Sequence, residues 1–262
     1  MKICLLEPVD RDSASAAKMQ QIYSSLKRLG YEVVEQGCDK SLLTNMRKDQ
    51  ADVVFNLCSI YAWDKTYLIP AVLEIAGVRY TGSGILGLSL ARSYTKLFPL
   101  LFKSGIRVPP FTVIPAGNPP PDGLRYPLTL LRDGLRGGLS LRNADDLDRT
   151  LDLFPVGEEV LLLEQMPRER LSLFILDRLP FPDAGNQLFL AAAQKAYDVM
   201  EARGLARFDF IRSDEPILER IEIAPDPLDE QFLKIAASAG WDEDRLLQSL
   251  VQHAGRDHSL GV

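Results

Sequence analysis

The residues best equipped for chemistry cluster in one short stretch, residues 204–227, GLARFDFIRSDEPILERIEIAPDP. It reads as two strands joined by a polar turn, Ser213-Asp214-Glu215-Pro216, with side chains alternating between two faces. In the first strand Arg207 and Asp209 share a face, and Phe208 and Phe210 point the other way. In the second, Ile217, Ile221 and Ile223 share a face with Glu219, and Arg220 and Glu222 lie opposite. Pairing of the strands would bring Arg207, Asp209 and Glu222 onto one surface. Two carboxylates that close together repel each other unless a cation sits between them. Arg207 is one such cation. A bound Mg2+ is another, since it prefers hard oxygen ligands and keeps its remaining positions for phosphate and water. A solvated hairpin face with ordinary ion pairs is the plainer reading of the same residues.

The elements that must position this hairpin come in two styles. Over the first 85 or so residues strand alternates with helix, which predicts a parallel sheet covered on both faces. Residues 3–7 are a short apolar run suited to a buried parallel strand. A polar loop, VDRDSAS, leads into a helix carrying Met19, Ile22, Leu26 and Leu29 at helical spacing, with Gly30 as its stop. Further strands are expected at 31–34 and 52–56, and helices at 42–47 and 63–76. Thr81-Gly82-Ser83-Gly84 lacks the GxxxxGK[ST] and GxGxxG spacings of phosphate loops and reads as a tight turn before a helix.

Residues 86–103 read as one helix, and the proline and glycine around a short strand at 111–114 as a linker and domain boundary. From Tyr126 onward strand-type segments dominate. Residues 127–131 and 139–141 form a strand and its return, and a helix at 144–153 has Asn143 as its N-cap. Residues 160–165 and 171–175 read as a second strand pair, 177–186 as a loop and 187–202 as a helix. Helices at 230–239 and 242–253 close the chain. The fold class is therefore α/β and α+β.

Composition narrows the function classes. A chain of 262 residues can bury a full core. Its formal charge of −6 argues against nucleic acid or an anionic membrane as main partner, since phosphate-rich surfaces demand a basic patch. Cys4, Cys38 and Cys58 are odd in number and lack any CxxC, so neither a disulfide framework nor a zinc site is indicated. The only histidines, His253 and His258, lie near the C-terminus, outside any cleft the sequence argues for, so a histidine-based triad or metal site is not expected. The apolar run in MKICLLEP is too short for a signal peptide, and no segment is long enough to span a bilayer, so a soluble cytoplasmic protein is expected.

Several motifs in one order resemble the D-alanine–D-alanine ligases of the ATP-grasp superfamily, over nearly the whole chain. Asp52-Val-Val-Phe-Asn-Leu and Pro70-Ala-Val-Leu-Glu-Ile-Ala-Gly-Val-Arg-Tyr-Thr-Gly-Ser-Gly resemble the N-terminal domain signature. Leu88-Ser-Leu-Ala-Arg-Ser-Tyr-Thr-Lys resembles the linking helix, and Gly105-Ile-Arg-Val-Pro-Pro-Phe the start of the central domain. Gly204-Leu-Ala-Arg-Phe-Asp-Phe and Glu222-Ile-Ala-Pro-Asp-Pro resemble the two C-terminal metal-site motifs. The resemblance implies an N-terminal parallel α/β domain over 1–85. A linking helix with a central subdomain (86–170) and a C-terminal subdomain (171–262) would then enclose a nucleotide cleft. It also implies ATP and Mg2+ as cofactors, an amino-acid or peptide substrate, and a homodimer formed through the N-terminal domain.

By the same resemblance Arg207 would sit near the transferred phosphoryl group, and Asp209 and Glu222 would hold magnesium. Glu164 would open the adenine hinge, with backbone groups of Gln165 and Met166 facing the base, and Glu169 would reach the ribose. Other positions depart from the pattern. Tyr94 and Leu131 stand where the family has its two ATP-contacting lysines, leaving Arg92, Lys96 and Arg132 nearby. The serine-rich phosphate loop reads Leu135-Arg-Gly-Gly-Leu-Ser. Ala224 replaces a metal-binding asparagine, and Leu228 replaces a glycine that meets substrate, where a side chain would intrude. The chain between Ile175 and Gln187 is too short for the family's lid, and VDRDSAS lacks the glutamate for the substrate's ammonium group. Two readings follow. One is an eroded, weakly nucleotide-binding or non-catalytic relative that binds a protein partner. The other is a working carboxylate–amine ligase using Arg92, Arg132 or Arg136 in place of the lysines.

Overall fold

The structure, a computed structural model, describes residues 1–9, 12–42, 44–45, 50–61, 68–135, 137–166, 168–181 and 187–254. The expected helices at 42–47 and 63–76, the loop 177–186, Arg136 and His258 fall wholly or partly outside these residues.

The chain opens with β1 (Lys2–Glu7), α1 (Ser13–Arg28), β2 (Glu32–Gly37) and β3 (Val53–Asn56). Ile3, Cys4, Leu5 and Leu6 are all fully buried, as a central strand covered on both faces requires. β1 pairs in parallel with β2 on one side and β3 on the other. Helix α1 begins earlier than expected because the Asp12 carboxylate accepts from the Ser15 N–H at 2.7 Å, an N-cap inside the supposed loop. The short α2 (Cys58–Tyr61) and α3 (Leu68–Ile75) follow.

The expected helix over 86–103 is two helices, α4 (Ile85–Ala91) and α5 (Tyr94–Lys103). The break is made by a distant carboxylate. Asp133 accepts from the Ser93 hydroxyl at 2.7 Å, the Thr95 N–H at 3.0 Å and the Thr95 hydroxyl at 2.7 Å. The N–H of Gly134 donates to the Arg92 carbonyl at 2.8 Å, closing the same junction.

Beyond it lie β4 (Phe111–Pro115), β5 (Leu128–Arg132), β6 (Leu139–Leu141), α6 (Ala144–Leu151) and β7 (Glu159–Glu164). Next come β8 (Arg170–Leu176), β9 (Leu179–Phe181), α7 (Gln187–Val199), β10 (Leu205–Ile211) and β11 (Ile217–Ile223). Helices α8 (Glu230–Ser238) and α9 (Glu243–His253) complete the described fold. Asn143 caps α6 as expected, accepting from the Asp146 N–H at 2.9 Å. The strands form two antiparallel sheets, β4-β7-β5-β6 and β11-β10-β8-β9. The expected pairing of 160–165 with 171–175 is therefore wrong: β7 lies between β4 and β5, and β8 between β10 and β9. β9 was expected as loop. It returns from β8 through a two-residue turn in which Asp177 and Arg178 both have positive φ (46° and 72°), the geometry that suits a tight hairpin.

One core joins the first and last parts of the chain. Ile3, Leu5 and Phe55 of the parallel sheet share it with Phe174, Phe181 and Phe232. The Phe174 and Phe232 rings stack at 4.8 Å. The same two parts meet again where Gly82 and Gly204 cross. A Cβ added at Gly204, whose φ is +64°, would lie 3.1 Å from the Gly82 Cα. Beside this crossing the Ser83 hydroxyl donates to the Arg203 carbonyl at 2.9 Å and accepts from the Arg203 N–H at 2.8 Å. The turn at Thr81–Gly84 is thus an interface between sheets.

Two stability predictions follow from these junctions. Gly204→Ala should cost about 2–3 kcal/mol in urea denaturation, combining left-handed strain with the Gly82 collision. Gly123→Ala has φ +80° but no neighbour within 4 Å, and should cost only about 1 kcal/mol. Equal losses would show that the crossing is not a tight contact. Asp133→Ala should destabilise by about 1–2 kcal/mol through loss of the α5 cap, read as a lower urea midpoint with an unchanged m-value.

Candidate functional site

The hairpin forms as expected, and β10 pairs antiparallel with β11 so that Arg207 faces Glu222 and Asp209 faces Arg220. An extra residue at Glu219 shifts the register between Asp209 and Phe210. Leu218, not Ile217, therefore joins Ile223 in the core, correcting the expected alternation. On the other side of β10, Ser172 lies opposite Asp209 and Phe174 opposite Arg207.

These registers place Arg207, Asp209 and Glu222 on one face, as read from the sequence, and add Ser172 and Arg220. Arg207 Nε donates to Asp209 Oδ1 at 2.8 Å, and Arg207 Nη2 donates to Ser172 Oγ at 3.1 Å. The Ser172 hydroxyl donates in turn to the same Asp209 oxygen at 2.7 Å. Asp209 is 6% exposed, and the Arg207 guanidinium lies 5.6 Å over the Phe174 ring. Arg220 Nη2 reaches Glu222 Oε2 at 3.2 Å. Each carboxylate thus has its own guanidinium. Among the described residues no group of three or more His, Cys, Asp or Glu is arranged to hold a metal ion. Arg220 was legible as a neighbour on Glu222's face; Ser172 was not, because its strand had been given the wrong partner.

A cavity of about 310 Å³ lies between the two antiparallel sheets, walled by α4, α5, β5, β7 and β11. Its surface is mainly apolar: Leu97 and Phe98 come from α5, Leu131 and Leu163 from the central sheet, and Leu218 and Ile221 from β11. Of the nominated residues only Glu222 lines it. Arg207 and Asp209 sit on the adjoining sheet face. Glu164, Gln165, Met166 and Glu169 do not line it either. The Glu164 carboxylate accepts from Arg125 Nε at 3.1 Å. The Gln165 N–H donates to the Pro127 carbonyl at 2.9 Å, and its side-chain amide to the Leu128 carbonyl at 3.0 Å and Ser140 Oγ at 2.9 Å. The Met166 carbonyl accepts from the Arg168 N–H at 2.9 Å. Glu169 is exposed, with Arg212 Nε at 3.6 Å. The hinge segment is anchored on its own sheet.

Of the cations near the lysine positions, Arg132 and Lys96 are paired with carboxylates that do not line the cavity, and Arg136 lies outside the described residues. Arg132 pairs with Glu158 through both guanidinium arms and covers the Phe154 ring at 5.5 Å. Lys96 meets Glu159 at 2.6 Å, and that hydrogen bond holds its ammonium above the usual lysine range. Arg92 does line the cavity and is buried; Tyr94 lines it as well. Gly138 carries the loop backbone against β5: a Cβ there would lie 2.5 Å from Thr129 Cγ2 and 2.7 Å from Leu131 Cδ2. Ala224, at φ 53°, is buried, and its N–H donates to the Leu205 carbonyl at 3.0 Å. Leu228 does not intrude on a site, as had been expected; it packs into the core that holds Phe174 and Phe232. A magnesium-bound triphosphate needs several cations and anionic oxygens directed at it. Among the described residues the lining offers two cations, Arg92 and Arg220, and two carboxylates, Glu219 and Glu222; Arg220 is paired with Glu222 and Glu219 with Arg170.

No family model matches the chain. Over 118 residues it is 30% identical to an uncharacterized protein of Sinorhizobium fredii, covering 42% of this chain and 35% of that one. Over 170 residues it is 30% identical to a D-alanine–D-alanine ligase of Syntrophotalea carbinolica, covering 62% of this chain and 54% of the ligase. The chain thus matches about a third to a half of the length of these curated relatives. The crystal structure of a Bacillus anthracis D-alanine–D-alanine ligase complexed with ATP superposes with a TM-score of 0.82 at 16% identity, covering 97% of this chain and 96% of that one. The chain is D-alanine–D-alanine ligase-like, and its fold is the ATP-grasp fold of those enzymes.

Proposed function

We propose that this chain is a non-ligating relative of the D-alanine–D-alanine ligases that has kept the cleft as a binding site, and that it works with a protein partner. The observation that carries this reading is Leu131. It stands in the cavity wall at the position of a phosphate-binding lysine, while Arg132 and Lys96 beside it are paired with Glu158 and Glu159. Transferring phosphoryl oxygens depend on such cations for charge stabilisation, each typically worth a few kcal/mol, about 3 for a single well-placed donor. The Arg207–Asp209–Ser172 cluster supports the same reading, because Arg207 and Ser172 both donate to Asp209 Oδ1 and so already occupy one of its oxygens. A second reading, an ATP- and Mg2+-dependent carboxylate–amine ligase acting through an acyl phosphate on an amino acid or peptide, draws on Arg92 and Glu222, which share the cavity. In either case we place the protein in the cytoplasm as a homodimer.

Isothermal titration with ATP plus Mg2+, against Mg2+ alone, separates the two. The non-ligating reading expects no ATP heat at millimolar nucleotide and no phosphate release with mixed amino acids. Turnover with any acceptor would establish the ligase reading instead; Mg2+-dependent micromolar binding without turnover would show that the cleft still holds a nucleotide.

The carboxylates supply an independent check. Asp209→Asn weakens a charge-assisted cluster and should lower stability by about 1–3 kcal/mol in buffer containing a chelator. The double change Asp209→Asn with Glu222→Gln should leave partner binding intact in whatever fraction remains folded. If Mg2+ raised the melting temperature of the native chain but not of the double variant, the carboxylates would be metal ligands.

A further inference from the structure

We infer that Cys38 and Cys58 form a reversible dithiol–disulfide pair, a modification site whose reagent is a small-molecule disulfide. The inference is independent of what the cleft binds.

The parallel sheet brings the two residues together. Leu6 on β1 pairs with Gln36 of β2 on one side and with Asn56 of β3 on the other. Cys38 and Cys58 each lie two residues beyond those partners, so they flank the end of the central strand. The Cys38 N–H donates to the Glu7 carbonyl at 2.8 Å. The Cys58 thiol turns back over the same end and donates to the Leu6 carbonyl at 3.8 Å. Both side chains pack into the cluster of Leu6, Leu42, Val54 and Tyr80. There the two thiols hydrogen bond to each other. A disulfide needs side chains that already point at one another, because it tolerates little distortion of the backbone that carries it. Cys4 does not compete for either partner. It pairs with Val34, four residues before Cys38 and about 13 Å back along the strand, and its thiol donates to Gln36 Oε1 at 3.9 Å.

The surroundings divide the roles. Cys38 is half-buried and Cys58 is buried. The hydrogen bond from Cys58 holds the Cys38 thiol below its usual range, and the same bond, together with burial, pushes the Cys58 thiol up. The thiolate is the attacking species, so Cys38 is the point of entry and Cys58 the resolving thiol. In the first step the Cys38 sulfur bonds to one sulfur of the small disulfide, whose S–S bond breaks and releases a thiolate. In the second the Cys58 sulfur attacks Cys38, the mixed disulfide breaks, and a second thiolate leaves. The two released thiolates take up the protons lost by Cys38 and Cys58. The pair is oxidised by two electrons and the small disulfide is reduced by two. The new bond would tether the first residue of α2 to the end of β2. The next residue, Ser59, lines the cleft cavity, which puts the redox state of the pair one residue from the cleft.

The test treats the full native chain with millimolar oxidised glutathione, then counts thiols, measures the intact mass and maps the peptides. The expected result is loss of two of the three thiols, a mass lower by two hydrogens with no glutathione retained, and a peptide pair joined through Cys38 and Cys58. Dithiothreitol should restore both thiols. Cys58→Ser removes the resolving thiol and should trap glutathione on Cys38. Cys38→Ser should slow the reaction of Cys58 at least about tenfold, with a cooperative melt confirming that each variant is folded. The native-chain result decides the case where a variant does not fold. Three intact thiols after treatment, glutathione held stably on Cys38 of the native chain, a bond that includes Cys4, or an unslowed reaction of Cys58 in folded Cys38→Ser would overturn the inference.

Discussion

The carboxylate of Asp133 is the contact on which the cleft depends. It sits at the start of α5, where unpaired N–H groups and the helix dipole favour a negative charge, and accepts from Ser93 and Thr95 there. Because Asp133 follows directly on β5, this one side chain fixes the central sheet to the helix that separates it from the other antiparallel sheet. Helix α5 then serves two cores. Phe98 packs with Leu131, Leu161 and Leu163 of the central sheet. Leu97 and Leu101 pack with Phe208 and Phe210 on the far side. The width of the cavity is set by this helix and by where Asp133 holds it.

The electrostatics of the hairpin follow the same economy. Bringing Asp209 and Glu222 to one face creates repulsion that the fold must answer. It answers with arginines at alternate positions of the same two strands, so that each acid has a base two residues away. An acid held this way is charge-balanced within the hairpin face, beside the cleft.

Much of this was legible in the sequence. Period-two alternation predicted the β10–β11 hairpin and the common face of Arg207, Asp209 and Glu222, and cap residues such as Asn143 marked a helix start. The parallel sheet followed from a continuous apolar run at Ile3–Leu6. What stayed hidden was non-local. Alternation tells which face a residue occupies and not which strand lies beside it, so β7 and β8 were paired with each other although they belong to different sheets. The helix break at Arg92 and Ser93 carries no glycine or proline; its cause is an acceptor 40 residues beyond Ser93, at Asp133. The bulge at Glu219 has no sequence signal of its own, and it moved Leu218 into the place expected for Ile217. The cavity's character could be anticipated at Leu131, but the outward pairing of Arg132 and Lys96 needed the positions of Glu158 and Glu159.

The core shared by Ile3, Leu5 and Phe55 with Phe174, Phe181 and Phe232 has a mechanical consequence. Together with the Gly82–Gly204 crossing, it welds the parallel sheet and the C-terminal sheet into one stiff body. The central sheet has its own separate core around Leu128, Leu147 and Val160. A change that empties the core of the central sheet would therefore leave intact the core that joins the other two sheets.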